Sequence, residues 1–126
     1  MSEARVGHID ELGDGVVRKI RSELGVEAFG VNAMVFEPGG EGRRHSHEQQ
    51  DELYFVHSGT PEIEIDGVVH ALRPGSVAHV PAHVVRQLRN HGNEPAVFLI
   101  VGASGGYVGR DGRLADGSEA PGATDS

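Results

Sequence analysis

The chain contains no cysteine, no long apolar run and few basic residues. Without cysteine there is no disulfide framework, no thiolate metal site and no cysteine nucleophile, so any metal must rest on imidazole and carboxylate. No stretch approaches the roughly 18 apolar residues of a membrane span, and the start "MSEARVGHIDEL" lacks the basic opening and apolar centre of a secretory signal. A soluble, cytoplasmic protein with no membrane partner is expected. The formal net charge is -8, with no basic stripe and no recognition-helix pattern, which argues against nucleic acid as the main partner. Small molecules and other proteins remain.

Long uninterrupted elements are missing too. Nineteen glycines and six prolines divide the 126 residues into pieces too short for ordinary helices, while 37% hydrophobic content suffices for one modest core. The class is all-β. "PEIEIDGVVHAL", 61 to 72, reads as two strands joined by a tight Asp66-Gly67 turn. "SVAHV" follows as a strand, and "VVRQLRN" alternates, with Val84, Arg86 and Leu88 opposite Val85, Gln87 and Arg89. "PAVFLIVG", 95 to 102, is apolar throughout and belongs near the middle of a sheet or barrel wall. Upstream, "AFGVNAMVFEPGG" is a strand ending in a turn. Strands spaced in this way suggest a sandwich or barrel. "GVVRKIRSEL" fits either a short amphipathic helix or a strand pairing outside the barrel. From Gly102 onward the chain is Gly-, Ala-, Ser- and Asp-rich with almost nothing to bury, and its last dozen residues are expected to be disordered.

Three of the eight histidines fall in "GGEGRRHSHEQQDELYFVHSG", 39 to 59. His45 and His47 are two apart, so on a strand both rings point to one face with α-carbons roughly 6.7 Å apart, close enough to share an ion. The step from His47 to Glu52 is odd, and the intervening "EQQD" must bulge or turn for Glu52 to join them. Two imidazoles and a carboxylate suit one divalent ion such as Zn, Fe, Mn or Ni. Strand alternation places Tyr54 with Glu52, and Asp51 with Leu53 on the opposite face. His79 is a candidate further ligand if it projects inward, as is His83 at the rim; Gln50 is a weaker one through its amide oxygen. His8, His57, His70 and His91 are assigned no role.

The spacing of Gly39, His45, His47, Glu52 and Gly59 resembles the complete first motif of the cupin superfamily. The second motif is matched by Gly75, Pro81 and Asn90, but His83 replaces its second glycine and Arg86 its metal-binding histidine. The resemblance covers about residues 28 to 102. It implies a double-stranded β-helix, or jelly-roll, barrel over 28–102, flanked by an N-terminal arm (1–27) and a partly disordered tail (103–126). It further implies a homodimer and a divalent metal in the barrel mouth. Guanidinium has no lone pair to donate, so Arg86 cannot be the fourth ligand, and with Tyr54 and Gln50 it is a candidate contact for a small anionic ligand. A metal-dependent enzyme of oxygenase or isomerase type is one reading. A non-catalytic ligand- or metal-binding module, or a dimeric scaffold, is the other.

Overall fold

Asp66 and Gly67 both take positive φ, 49° and 82°, the pair of left-handed conformations that a two-residue hairpin turn matched to strand twist requires. The computed structural model describes residues 3–120 and 124. In chain order the strands are β1 (Val17–Arg18), β2 (Gly30–Phe36), β3 (Ser46–His47), β4 (Asp51–Ser58), β5 (Glu62–Ile65), β6 (Val68–Ala71), β7 (Val77–Val80), β8 (Arg86–Arg89), β9 (Ala96–Ala103), β10 (Gly112–Arg113) and β11 (Glu119–Ala120). One α-helix, α1 (Ile20–Leu24), and a 3-10 turn at Ile9–Glu11 complete the described elements.

The strands form a five-stranded sheet ordered β1-β2-β9-β4-β7 and two three-stranded sheets, β6-β5-β8 and β11-β10-β3, with antiparallel neighbours throughout. This is the double-stranded β-helix. The apolar strand β9 lies between β2 and β4 in the middle of its sheet, one face buried and the other half-buried. Between the layers Phe36, Tyr54, Val56, Ile63, Val80, Leu88, Phe98 and Ile100 form the core, with Phe36 and Phe98 edge-on at 6.1 Å. Each large side chain buried there contributes about 1.5–3 kcal/mol. Among the described residues no helix is long and apolar enough to cross a membrane.

Two motif residues have structural jobs in this frame. Gly59 turns with φ 82°, and a Cβ there would lie 2.5 Å from the Pro95 carbonyl oxygen and 2.7 Å from Ala96 Cα, so only glycine lets β4 end against the start of β9. Asn90 is fully buried; its amide donates to the Phe36 and Glu94 carbonyls at 3.0 and 2.8 Å and accepts from Gly92 N at 3.1 Å. It fastens the turn between β8 and β9.

At the N-terminus the helix and the extra strand both form. β1 pairs with β2, Val17 opposite Met34, and α1 follows at once, ending on Gly25 with φ 72°. The tail departs from expectation. Asp111, Gly112, Ala120 and Thr124 are buried, and β10 pairs with β3, Gly112 opposite His47 and Arg113 opposite Ser46. Within the dozen residues expected to be disordered, Glu119–Ala120 is a strand; 121–123, 125 and 126 lie outside the described residues. What the tail buries is small or polar, with no large apolar side chain among these four, which is why a search for apolar pattern passes over it.

Candidate metal centre

The odd step from His47 to Glu52 is resolved by a bend at Glu48 and Gln49, between β3 and β4. One carboxylate holds it. Asp111 accepts from Gln49 N at 2.9 Å and from Gln50 N at 2.8 Å, its backbone carbonyl accepts from Glu48 N at 3.1 Å, and its Oδ2 stands 3.6 Å from His47 Nδ1. On the other side His47 N donates to the Ala82 carbonyl at 2.8 Å. The segment is thus clamped between the tail and the turn before β8, which brings Glu52 into phase with the two histidines.

The ligating atoms of His45, His47 and Glu52 all lie within 4.8 Å of one another. The imidazoles meet edge-on, centroids 5.1 Å apart, and Glu52 Oε1 stands 3.1 Å from His47 Nε2. His45 Nδ1 lies 2.8 Å from the Arg43 carbonyl oxygen, which only accepts, so Nδ1 carries the hydrogen and Nε2 keeps its lone pair. Two buried atoms here, His45 Nε2 and Glu52 Oε2, have no hydrogen-bond partner among the described residues, and His47 Nε2 has only the contact to Glu52 Oε1. Buried polar atoms are nearly always paired, and two ring nitrogens and a carboxylate oxygen left this poorly satisfied in one cluster are a donor set that fits a divalent cation.

The electrostatics agree with that donor set. Burial pushes the His45 imidazolium pKa below the ordinary histidine value, outweighing its bond to Arg43 and the Glu52 charge, so the ring is favoured in its neutral, ligating form. For Glu52 burial pushes upward, but the bond and charge of His47, the bond from Tyr54 and the charge of Arg86 together hold it below the ordinary carboxylate range. Burial, then the charge of Glu52, raises Tyr54 well above the usual phenol, so its hydroxyl keeps its proton and donates to Glu52 Oε1 at 2.5 Å.

The remaining candidates separate. Gln50 is buried behind His47, its Nε2 3.2 Å from His47 Nδ1 and 3.2 Å from Thr124 Oγ1, so it braces His47. Tyr54 likewise spends its hydroxyl on Glu52. His79 is a correction: it sits opposite Leu53 on β4, the outward face, its side chain 60% exposed and 3.3 Å from Asp51. Register decides this, since Val80, not His79, pairs with Glu52 and shares its inward face. His83 is exposed, and Asp51 faces out with His79, also accepting from Ala82 N at 3.0 Å. Arg86 is buried at 0% exposure, on the face of β8 that carries Leu88 into the core. Asp111 and Thr124 escaped the sequence reading, because partners some sixty to seventy residues from the motif leave no local signal.

A jelly-roll barrel carrying a His-His-Glu cluster defines a class, and residues 32–102 match the model of the cupin domain family. The chain belongs to that family. It is 32% identical over 83 residues to the alginate biosynthesis protein AlgA of Pseudomonas putida, covering 66% of this chain but only 17% of that protein. A sugar phosphate isomerase from a cupin superfamily, from Silicibacter pomeroyi, is 25% identical with a TM-score of 0.72 over 93% of this chain and 92% of its own. A cupin protein from Bacteroides fragilis, 21% identical with TM-score 0.72 over 100% and 97% of the two chains, shares the fold.

Proposed function

We propose that this protein binds one divalent metal ion, of zinc, iron, manganese or nickel, through His45, His47 and Glu52, and acts on a small molecule in the barrel mouth. The observation that carries the reading is that His45, His47 and Glu52 bring ligating atoms within 4.8 Å of one another, with His45 Nε2 and Glu52 Oε2 buried and unpaired. When bound, such an ion supplies Lewis-acid polarisation of a ligand oxygen. The chain's own residues prepare the site: Arg43 fixes the His45 tautomer, Tyr54 occupies Glu52 Oε1 and leaves Oε2 open, and Gln50 and Asp111 orient His47. Because Arg86 cannot coordinate, positions on the ion are left for the ligand. Likeness over nearly the full length to a protein described as a sugar phosphate isomerase supports an isomerase-type reaction.

Stripping the purified protein and titrating each metal by calorimetry tests the first half, a single saturable site being the expected result. Assay of the loaded protein against sugar phosphates and small acids tests the second: turnover supports an enzyme, and saturable binding without turnover supports a non-catalytic module. A homodimer goes with the reading, because Val68 and Val69 on β6 and Val77 on β7 are exposed on strands at sheet edges, which need covering.

A further inference from the structure

Arg86 is the largest fully buried side chain of the described molecule. Its Nη2 donates to the carbonyls of Val80 and Pro81 at 3.1 and 3.0 Å, while Nε and Nη1 have no partner. Three N–H directions of a permanent cation are therefore unpaired in the interior, and among the described residues the guanidinium makes no ion pair. A bare buried cation is strongly unfavourable, so such groups are found paired or bound to an anion. Glu52 is the near acid, since Val80, whose carbonyl anchors the guanidinium, pairs directly with Glu52 across β4 and β7. Yet Glu52 is spent on Tyr54 and His47, and Oε2 is an orphan of the metal cluster. Glu52 thus leaves the Nε and Nη1 hydrogens of Arg86 without an acceptor among the described residues.

We infer that the molecule held in this cup is an anion, a carboxylate or a phosphate monoester, bound by the Nε and Nη1 hydrogens of Arg86 beside the His45–His47–Glu52 cluster. The inference rests on the metal reading for where the second oxygen of the anion goes, but not for the contact to Arg86. Position 86 carries a fixed cation in place of a fourth metal ligand, which exchanges tighter metal binding for selection of charged over neutral ligands. Guanidinium suits this better than ammonium because it is weakly hydrated, planar and cannot lose its proton on burial.

Metal-free protein is titrated with inorganic phosphate and with malonate by calorimetry, for wild type and Arg86→Gln, and the Arg86 Nε–H resonance of wild type is followed in the same titrations. The expected result is saturable binding that shifts that resonance and weakens roughly 10- to 100-fold in the variant, the loss of one charge-assisted hydrogen-bonding group. Phosphate binding more tightly than malonate points to phosphate monoesters, and the reverse order to carboxylic acids. An unmoved Arg86 resonance at saturation, or equal affinities in a folded variant, overturns the inference. Repeating the titrations with metal added separates the two readings. Binding that depends on Arg86 but is indifferent to metal sustains the anion site and removes only the cluster's part in it.

Discussion

His45 and Arg86 face each other across a two-residue bridge, His45 N donating to the Arg86 carbonyl at 2.9 Å and Arg86 N to the His45 carbonyl at 2.8 Å. Such mutually bonded antiparallel partners hold their α-carbons roughly 5.5 Å apart and send their side chains to the same face. The residue at 86 is thereby fixed beside the metal cluster whatever its chemistry.

Arg86→His should therefore place a third imidazole within reach of the ion. Its metal dissociation constant, measured by competition with a chelating dye, is expected to fall at least 10-fold relative to wild type, about 1.4 kcal/mol. An unchanged or weaker constant in a folded variant would show that position 86 does not face the ion.

Asp111 is predicted to matter for metal at a distance. Asp111→Ala removes the acceptor of Gln49 N and Gln50 N and the carboxylate nearest His47 Nδ1, so the 48–50 bend loosens. Loss of such an outer partner typically weakens metal binding by roughly 10- to 100-fold. Asp111→Asn, which keeps an acceptor oxygen, should recover part of that loss. Equal binding by all three proteins would mean that the tail does not support the site.

How much of this was legible depends on how far apart the interacting residues are. The Asp66-Gly67 hairpin, the alternation on β8 that sends Arg86 inward, and the spacing of His45, His47 and Glu52 are local patterns, and the structure places them as the sequence indicates. His79 failed because its facing depends on the register between β4 and β7, which a single sequence does not reveal. The ordered part of the tail escaped notice for a related reason: β10 and β11 are two residues each and carry no apolar pattern, and β10 is held by pairing with β3. Gln50 and Tyr54, expected to contact a small ligand, instead bond His47 and Glu52.

Acid should destabilise the metal-free protein in two stages of the same sign. The folded His45 titrates below its ordinary value of about 6.5, so as pH falls the unfolded chain takes the proton first, and stability declines from there down through the lowered value. Glu52 is also lowered, so its contribution is present above the ordinary carboxylate value and disappears as pH falls through the depressed one. Each group adds a slope of at most about 1.4 kcal/mol per pH unit. Urea midpoints of chelator-treated protein should drop steadily from pH 7 to pH 4, and His45→Gln should flatten the upper part alone. A midpoint that rose on acidification from pH 7 to pH 5 would contradict these assignments.

Asn90 is predicted to be a fold residue with no direct part in metal binding. Asn90→Ala leaves the Phe36 and Glu94 carbonyls and Gly92 N short of a partner, with an expected loss of about 2–4 kcal/mol in urea unfolding. Metal stoichiometry of the folded fraction should be unchanged. A variant of full stability would show that the turn between β8 and β9 does not depend on it.

The central claim is that His45, His47 and Glu52 hold one ion, and metal stoichiometry tests it most directly. Wild type and His47→Ala, each stripped, reloaded with zinc or manganese, desalted and analysed by mass spectrometry of the metal, should give about one ion per folded chain and nearly none, respectively. Equal occupancy in the two proteins, with circular dichroism showing both folded, would contradict the assignment.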